Sequence, residues 1–213
     1  MAGTVVADTL QAAATSTLLI QTGNGAPTTA ISVSPTQNTT FAGNVAVTGT
    51  STFTGNVIGA VKPGTAVNST SGTSIDFTSI PSTVNRITVM FSGVSRSGTA
   101  SIQIQLIHSG GTVVTTGYRS SSARFNSTAS SETDVTTGIL INANNAADDL
   151  HGSVVLTKVT GNAWSAFGAN TYLDGITLTA GGITLPAVLT GVRITTVNGT
   201  DTFDAGTINI LYE

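Results

Sequence analysis

The sequence predicts an all-β fold, and three observations carry the prediction. Charged residues are only 8% of the 213 positions, against about 25% in ordinary soluble domains. Thr, Ser, Gly, Asn, Ala, Val and Ile fill the gap, and 24 glycines supply turns. Apolar residues in the C-terminal two-thirds alternate with polar ones, the period of a half-buried strand. Lys, Glu, Arg and Gln are too scarce to coat helices.

Residues 1–60 hold one charged side chain, Asp8. Their large apolar residues are thinly spread, so burying them gains less than ordering the backbone costs. The segment is not expected to fold as an isolated chain. A unit recurs within it: Thr40-Phe41-Ala42-Gly43-Asn44-Val45 returns twelve positions on as Thr52-Phe53-Thr54-Gly55-Asn56-Val57. Each Gly-Asn is a turn signal, and a unit this short buries its Phe only against neighbours. The segment is either an ordered shaft shared between copies, with Phe41, Val45, Phe53 and Val57 as its core, or a flexible linker. The repeat and the missing charge favour the shaft, since disordered tails usually combine low hydrophobicity with high charge.

Residues 61–72 are rich in Gly, Pro, Ser and Thr and read as a linker. From residue 73 a head domain of eight or more short strands is expected. Ile75, Phe77 and Ile80 open it, and Ile87, Val89 and Phe91 alternate with Thr88 and Met90. Ile102, Ile104 and Leu106 alternate with Gln103 and Gln105 in the clearest strand. Further strands are expected over 135–141, 154–159, 167–173, 176–178, 188–197 and 203–212, punctuated by Gly and Asn clusters, Gly181-Gly182 among them. Strands at this spacing suggest a two-sheet sandwich of jelly-roll type.

Several functions find no support in the composition. The net charge is −3 and the five arginines are scattered, so no basic patch for nucleic acid forms. No run of about 20 apolar residues exists to insert in a membrane, and the first twenty residues lack the cationic start of a signal peptide. Assembly in a cytoplasm is expected. With no cysteine, disulfides and Cys-based zinc sites are excluded.

His108, His151 and Asp148-Asp149-Leu150-His151 do not match a recurrent metal motif, and adjacent aspartates in a turn are commonly caps. Neither a G-x-S-x-G elbow nor a recognisable catalytic constellation appears, so no enzyme, cofactor or metal is expected. Two patches suit ligand binding. Trp164, Asn170 and Tyr172 lie in one segment, where exposed aromatics would stack on sugars; the competing role for Trp164 is core, with Phe167 expected in the core beside it. Tyr118 and Arg119 precede, and Arg124 lies inside, a Ser-rich stretch at 120–131, whose plainer role is a solvated loop.

Gly3-Thr4-Val5-Val6-Ala7-Asp8-Thr9-Leu10 and the paired Phe-x-Gly-Asn-Val units resemble the N-terminal and shaft segments of phage tail fibres. Ser74-Ile75-Asp76-Phe77-Thr78-Ser79-Ile80-Pro81, then Arg86-Ile87-Thr88-Val89-Met90-Phe91, resembles a head domain of phage and prophage fibres. So does the closing Thr200-Asp201-Thr202-Phe203-Asp204-Ala205-Gly206-Thr207-Ile208-Asn209-Ile210-Leu211-Tyr212-Glu213. The resemblance implies a homotrimer in the virion tail. Its N-terminus would attach to a tail or baseplate protein, and its head would bind a host surface glycan or other receptor. It brings no catalytic residues. The alternative is a structural virion component, such as a head fibre, decoration or baseplate trimer, without a receptor.

Overall fold

The computed structural model describes residues 61–213. The expectations for residues 1–60, including virion attachment, the shaft and its core at Phe41, Val45, Phe53 and Val57, lie outside the described residues.

Those described are all-β: fourteen strands, numbered in chain order, in two sheets. The nine-stranded sheet runs β1 (Lys62–Pro63), β14 (Phe203–Tyr212), β4 (Arg86–Arg96), β10 (Leu150–Thr160), β11 (Ala163–Tyr172), β12 (Gly175–Thr184), β7 (Arg119–Asn126) and β8 (Ser130–Val135), with β2 (Val67–Asn68) also on β14. The five-stranded sheet runs β3 (Ser74–Phe77), β13 (Leu189–Thr196), β5 (Ile102–His108) and β6 (Thr112–Val113), with β9 (Ile139–Ile141) also on β5. All the strand pairings in both are antiparallel.

Both sheets feed one hydrophobic cluster. Ile87, Val89 and Phe91 of β4, Val154 and Leu156 of β10, and Ile208 and Ile210 of β14 enter it from the large sheet. Ile102, Ile104 and Leu106 of β5 and Val192 and Ile194 of β13 enter from the small one. Side chains alternate across a strand, so one apolar phase builds this core wherever the other phase is polar.

The structure departs from the sequence reading in several places. Residues 61–72, expected to be a linker, carry β1 and β2 against β14. Gly64 N–H donates to Ile210 O at 2.7 Å, Ser69 N–H to Gly206 O at 2.9 Å, and Ser69 Oγ to Ala205 O at 2.7 Å. Gly/Pro/Ser/Thr composition marks irregular backbone, but it does not say whether that backbone is pinned to a sheet edge. The Ser-rich stretch at 120–131 is not a loop: β7 and β8 pair through Ser120–Val135 to Phe125–Ser130. Gly181 and Gly182 do not punctuate a gap but sit inside β12.

Phe167 is the clearest reversal: expected in the core, it is 64% exposed, while Trp164 is 4% exposed. Three residues apart on β11, they must point to opposite faces. The same parity sends Asn170 and Tyr172 inward with Trp164.

β12 and β7 invert the usual pattern. β12 turns Thr177 and Thr179 inward and Ile176 and Leu178 outward; β7 turns Ser120, Ser122 and Arg124 inward and Phe125 outward. The inward hydroxyls are satisfied: Ser122 Oγ lies 2.8 Å from Thr177 Oγ1, and Thr179 Oγ1 donates to Leu140 O at 2.8 Å. Ser120 Oγ accepts from Leu140 N–H at 2.8 Å. A hydrogen-bonded polar layer therefore joins β7 and β12 to β9, a cheap arrangement only because each group has a partner.

Arg96, at the end of β4, is wholly buried. Its Nε donates to Ala100 O and its Nη2 to Ala143 O, tying β4 to the segment after β9. Burial lowers its pKa, partly countered by Asp148 and Asp201.

Candidate functional site

The six nominated contact residues separate into two groups. Arg124, Asn170 and Tyr172 lie inside the sandwich and support the fold. Arg124 Nη1 is 3.1 Å from Asp148 Oδ2 and also donates to Asn144 Oδ1, and its guanidinium sits 3.8 Å above the centre of the Tyr172 ring. Tyr172 in turn donates to Phe125 O at 3.1 Å. Asn170 is 2% exposed, and its side-chain amide has no hydrogen-bond partner among the described residues. As placed here, these three are not available to stack on or bond a surface ligand.

Tyr118, Arg119 and Trp164 are brought together at the opposite end of β7, β11 and β12. Antiparallel register places Gly182 opposite both Arg119 and Ser165, and Gly181 opposite both Ser120 and Ala166. Two open depressions, about 490 and 630 Å³, share Arg119 and Gly181. Tyr118, Ser121, Asp134 and Thr136 line one; Ala163, Trp164, Gly182 and Thr184 line the other. The glycines are required by close approach. A Cβ on Gly181 would stand 2.7 Å from Arg119 O, and one on Gly182 2.8 Å from Trp164 O. Side chains are thus absent along the middle of the groove.

Tyr118 is 1% exposed and works as a strut. Its hydroxyl accepts from Leu106 N–H at 2.7 Å and donates to Val114 O at 3.1 Å. Burial pushes its pKa up to about 12, against a smaller opposing effect of the Leu106 bond. Trp164 is also largely buried, and its Nε1 has no hydrogen-bond partner among the described residues.

Arg119 differs from every other arginine. Arg86 pairs with Glu213 at 2.6 Å, Arg124 with Asp148, Arg193 with Asp76, and Arg96 bonds backbone carbonyls. Arg119 alone has an exposed guanidinium with no hydrogen bond or ion pair among the described residues. A free guanidinium offers five donors in a planar fork, suited to hydroxyls or carboxylates.

A third depression, about 350 Å³, lies on the outer side of the small sheet. Gln103, Gln105, Arg193, Thr195 and Thr137 line it. Its polar groups are already engaged: Gln103 Oε1 accepts from Thr137 Oγ1 at 2.8 Å, and Arg193 makes two 2.7 Å bonds to Asp76. That hydrogen bonding raises the Arg193 pKa. The Gln103/Gln105 phase was visible in the sequence, but the cleft it faces is formed by residues 74, 137 and 195–199, which only the fold assembles.

The acid–histidine cluster is dispersed. Asp148 turns inward to Arg124, while Asp149 lies outside, 3.7 Å from His151 Nε2. His151 Nδ1 accepts from Gly93 N–H at 3.2 Å, and His108 Nδ1 lies against Ser109 O. Among the described residues no three His, Cys, Asp or Glu side chains converge as metal ligands.

Compared with known proteins, the chain matches no family model, no curated protein and no solved structure.

Proposed function

We propose that this chain is a phage tail fibre protein, acting by adhesion and not by catalysis. In this reading residues 1–60 attach to the tail or baseplate, the chain is a homotrimer assembled in the host cytoplasm, and jelly-roll-like heads present the groove at Arg119 to a host surface glycan. The sequence resemblance motivates the assembly, and one observation carries the binding role. Arg119 is the single unengaged arginine, set between two depressions lined with hydroxyls, Asp134 and the edge of Trp164. Open, weakly charged grooves that mix apolar lining with hydroxyls and a free guanidinium suit sugar rings. Three such sites on one particle convert weak contacts into firm adhesion, with avidity gains of about 10²–10⁴.

The test is binding of the full chain to a panel of bacterial surface polysaccharides and to whole cells. Binding that falls at least about tenfold in Arg119→Ala, with unfolding unchanged, supports the reading. A wild-type protein that binds no cell or polysaccharide overturns it. A second reading, a structural virion trimer without a receptor, is favoured by the burial of Tyr118, Trp164, Asn170 and Tyr172. Incorporation into particles whose adsorption is unchanged by Arg119→Ala would select it.

A further inference from the structure

Phe167 and Arg119 stand on the same outer face of the nine-stranded sheet, and the register fixes what lies between them. One rank runs Asp134, Ser121, Ala180 and Phe167 across β8, β7, β12 and β11; the neighbouring rank on that face places Gly182 beside Arg119. The depression of about 490 Å³ opens over these ranks. Arg119, Ser121, Asp134 and Ala180 line it, and Phe167 stands one strand beyond Ala180. Neighbouring strands lie about 4.8 Å apart, so β7 and β11 are separated by about 10 Å, room for one pyranose ring. Ala180 and Gly182 raise no wall in that interval, and the Phe167 side chain is 64% exposed.

The polar side of the depression has binding capacity left over. Arg119 is unengaged, and Asp134 is likewise exposed with no hydrogen bond or ion pair among the described residues. Ser121 Oγ donates to Glu132 Oε1 at 2.5 Å and can still accept. A guanidinium supplies only donors and a carboxylate only acceptors, whereas a ligand hydroxyl satisfies either. An anionic ligand drawn to Arg119 meets Asp134 in the same depression and Glu132 beside it, so charge gives it no advantage. The exposed ring offers an apolar face to C–H groups. Hydroxyls around the rim and C–H groups on the face are together the chemistry of a sugar.

We propose that Phe167 is the stacking platform of the Arg119 site, and that the ligand is an uncharged hexose unit whose hydroxyls bond Arg119 and Asp134. This assignment rests on the adhesion reading above. It adds the class of sugar and a contact residue that the sequence had placed in the core.

The full chain is tested by affinity electrophoresis in gels holding dextran, mannan or galactan as uncharged polymers, with polygalacturonate as the acidic one. Whole-cell binding is measured in parallel. Ile176→Ala is the control, because Ile176 is exposed on the same face but lies four residues along β12 from Ala180, about 14 Å away. Binding to an uncharged polymer is expected to be alike at low and high salt. It should weaken at least about tenfold in Phe167→Ala and in Asp134→Asn, stay within about threefold of wild type in Phe167→Trp, and be unchanged in Ile176→Ala. In Phe167→Trp the added indole should shift its emission to the blue when the polymer is present. Unfolding midpoints should match wild type in all variants, since the substituted side chains are exposed.

Binding that falls in Arg119→Ala but not in Phe167→Ala overturns the stacking assignment and leaves the adhesion reading standing. So does an indole emission that the polymer leaves unmoved. Binding to polygalacturonate alone, with steep loss in salt, or to cells but to no polymer, overturns the sugar class while adhesion stands. A chain that binds neither polymer nor cell overturns both.

Discussion

Arg124 Nη1 lies 3.1 Å from Asp148 Oδ2, with side-chain exposures of only 10% and 2%. Two residues from separately nominated patches, one a ligand contact and the other a turn aspartate, thus form an internal ion pair. Removing one partner strands the other charge in a medium that solvates it poorly. Asp148→Ala is expected to cost about 3–5 kcal/mol in denaturant unfolding. Arg124→Met combined with Asp148→Ala should cost less than Asp148→Ala alone, because no unpaired charge remains. A single-variant loss below about 1 kcal/mol would place the pair among weak surface bridges.

Tyr118 gives a pH dependence with a defined sign. Its folded pKa of about 12 exceeds the ordinary value of 10, so the folded protein keeps a proton that the unfolded chain loses. The contribution is complete below pH 10 and is lost as pH rises toward 12, at up to about 1.4 kcal/mol per unit. Urea unfolding at pH 9 and 11.5 should show a steeper loss in wild type than in Tyr118→Phe. Parallel losses would show that the hydroxyl is not held protonated.

Truncation locates the N-terminal edge of the two-sheet unit. A fragment of residues 61–213 keeps β1 and β2 on β14, together with the bond from Phe203 N–H to Gly72 O at 2.9 Å. A fragment of residues 73–213 loses these and the Gly64 and Ser69 bonds. At about 0.5–1.5 kcal/mol per hydrogen bond, the longer fragment should be more stable by about 2–4 kcal/mol. Equal melting temperatures would return residues 61–72 to the status of a linker.

Gly152 and Gly93 separate crowding from backbone preference. Gly152 sits at the register shift between β10 and β4 with φ +144°, and a Cβ there would meet Ala169 O at 2.3 Å. Gly93 has φ +63°, and its nearest neighbour would be the His151 ring at 3.7 Å. Gly152→Ala is expected to lose at least about 3 kcal/mol and Gly93→Ala about 1 kcal/mol, measured by chemical denaturation. Similar losses would show that the bulge relaxes around the added methyl.

Much of the fold was legible where one phase of a strand is plainly apolar. The closing segment was read as a strand over residues 203–212, and β14 spans Phe203–Tyr212. Ile102, Ile104 and Leu106 marked β5 for the same reason. Reading failed where both phases were ambiguous. Ser120, Ser122 and Arg124 looked like a loop because hydroxyls and a cation rarely face a core, and their partners, on β9 and β12 for the serines and at Asn144, Asp148 and Tyr172 for Arg124, are supplied by other segments of the chain. Parity was an unused signal in β11: once Trp164 is placed inside, Asn170 and Tyr172 follow and Phe167 cannot.

The candidate site divides along the same line. Arg119 and Trp164 were nominated separately, and the groove between them depends on Gly181 and Gly182, which had been read as punctuation. The sequence by itself determined the all-β class, because alternation and turn chemistry are local and act through neighbouring residues. Tertiary structure alone decided which phase faces inward, which arginine stays unengaged and on which sheet face Phe167 lies. Those outcomes depend on pairings between strands far apart in the chain, where a partner's identity, and not a residue's own polarity, sets the cost of burial.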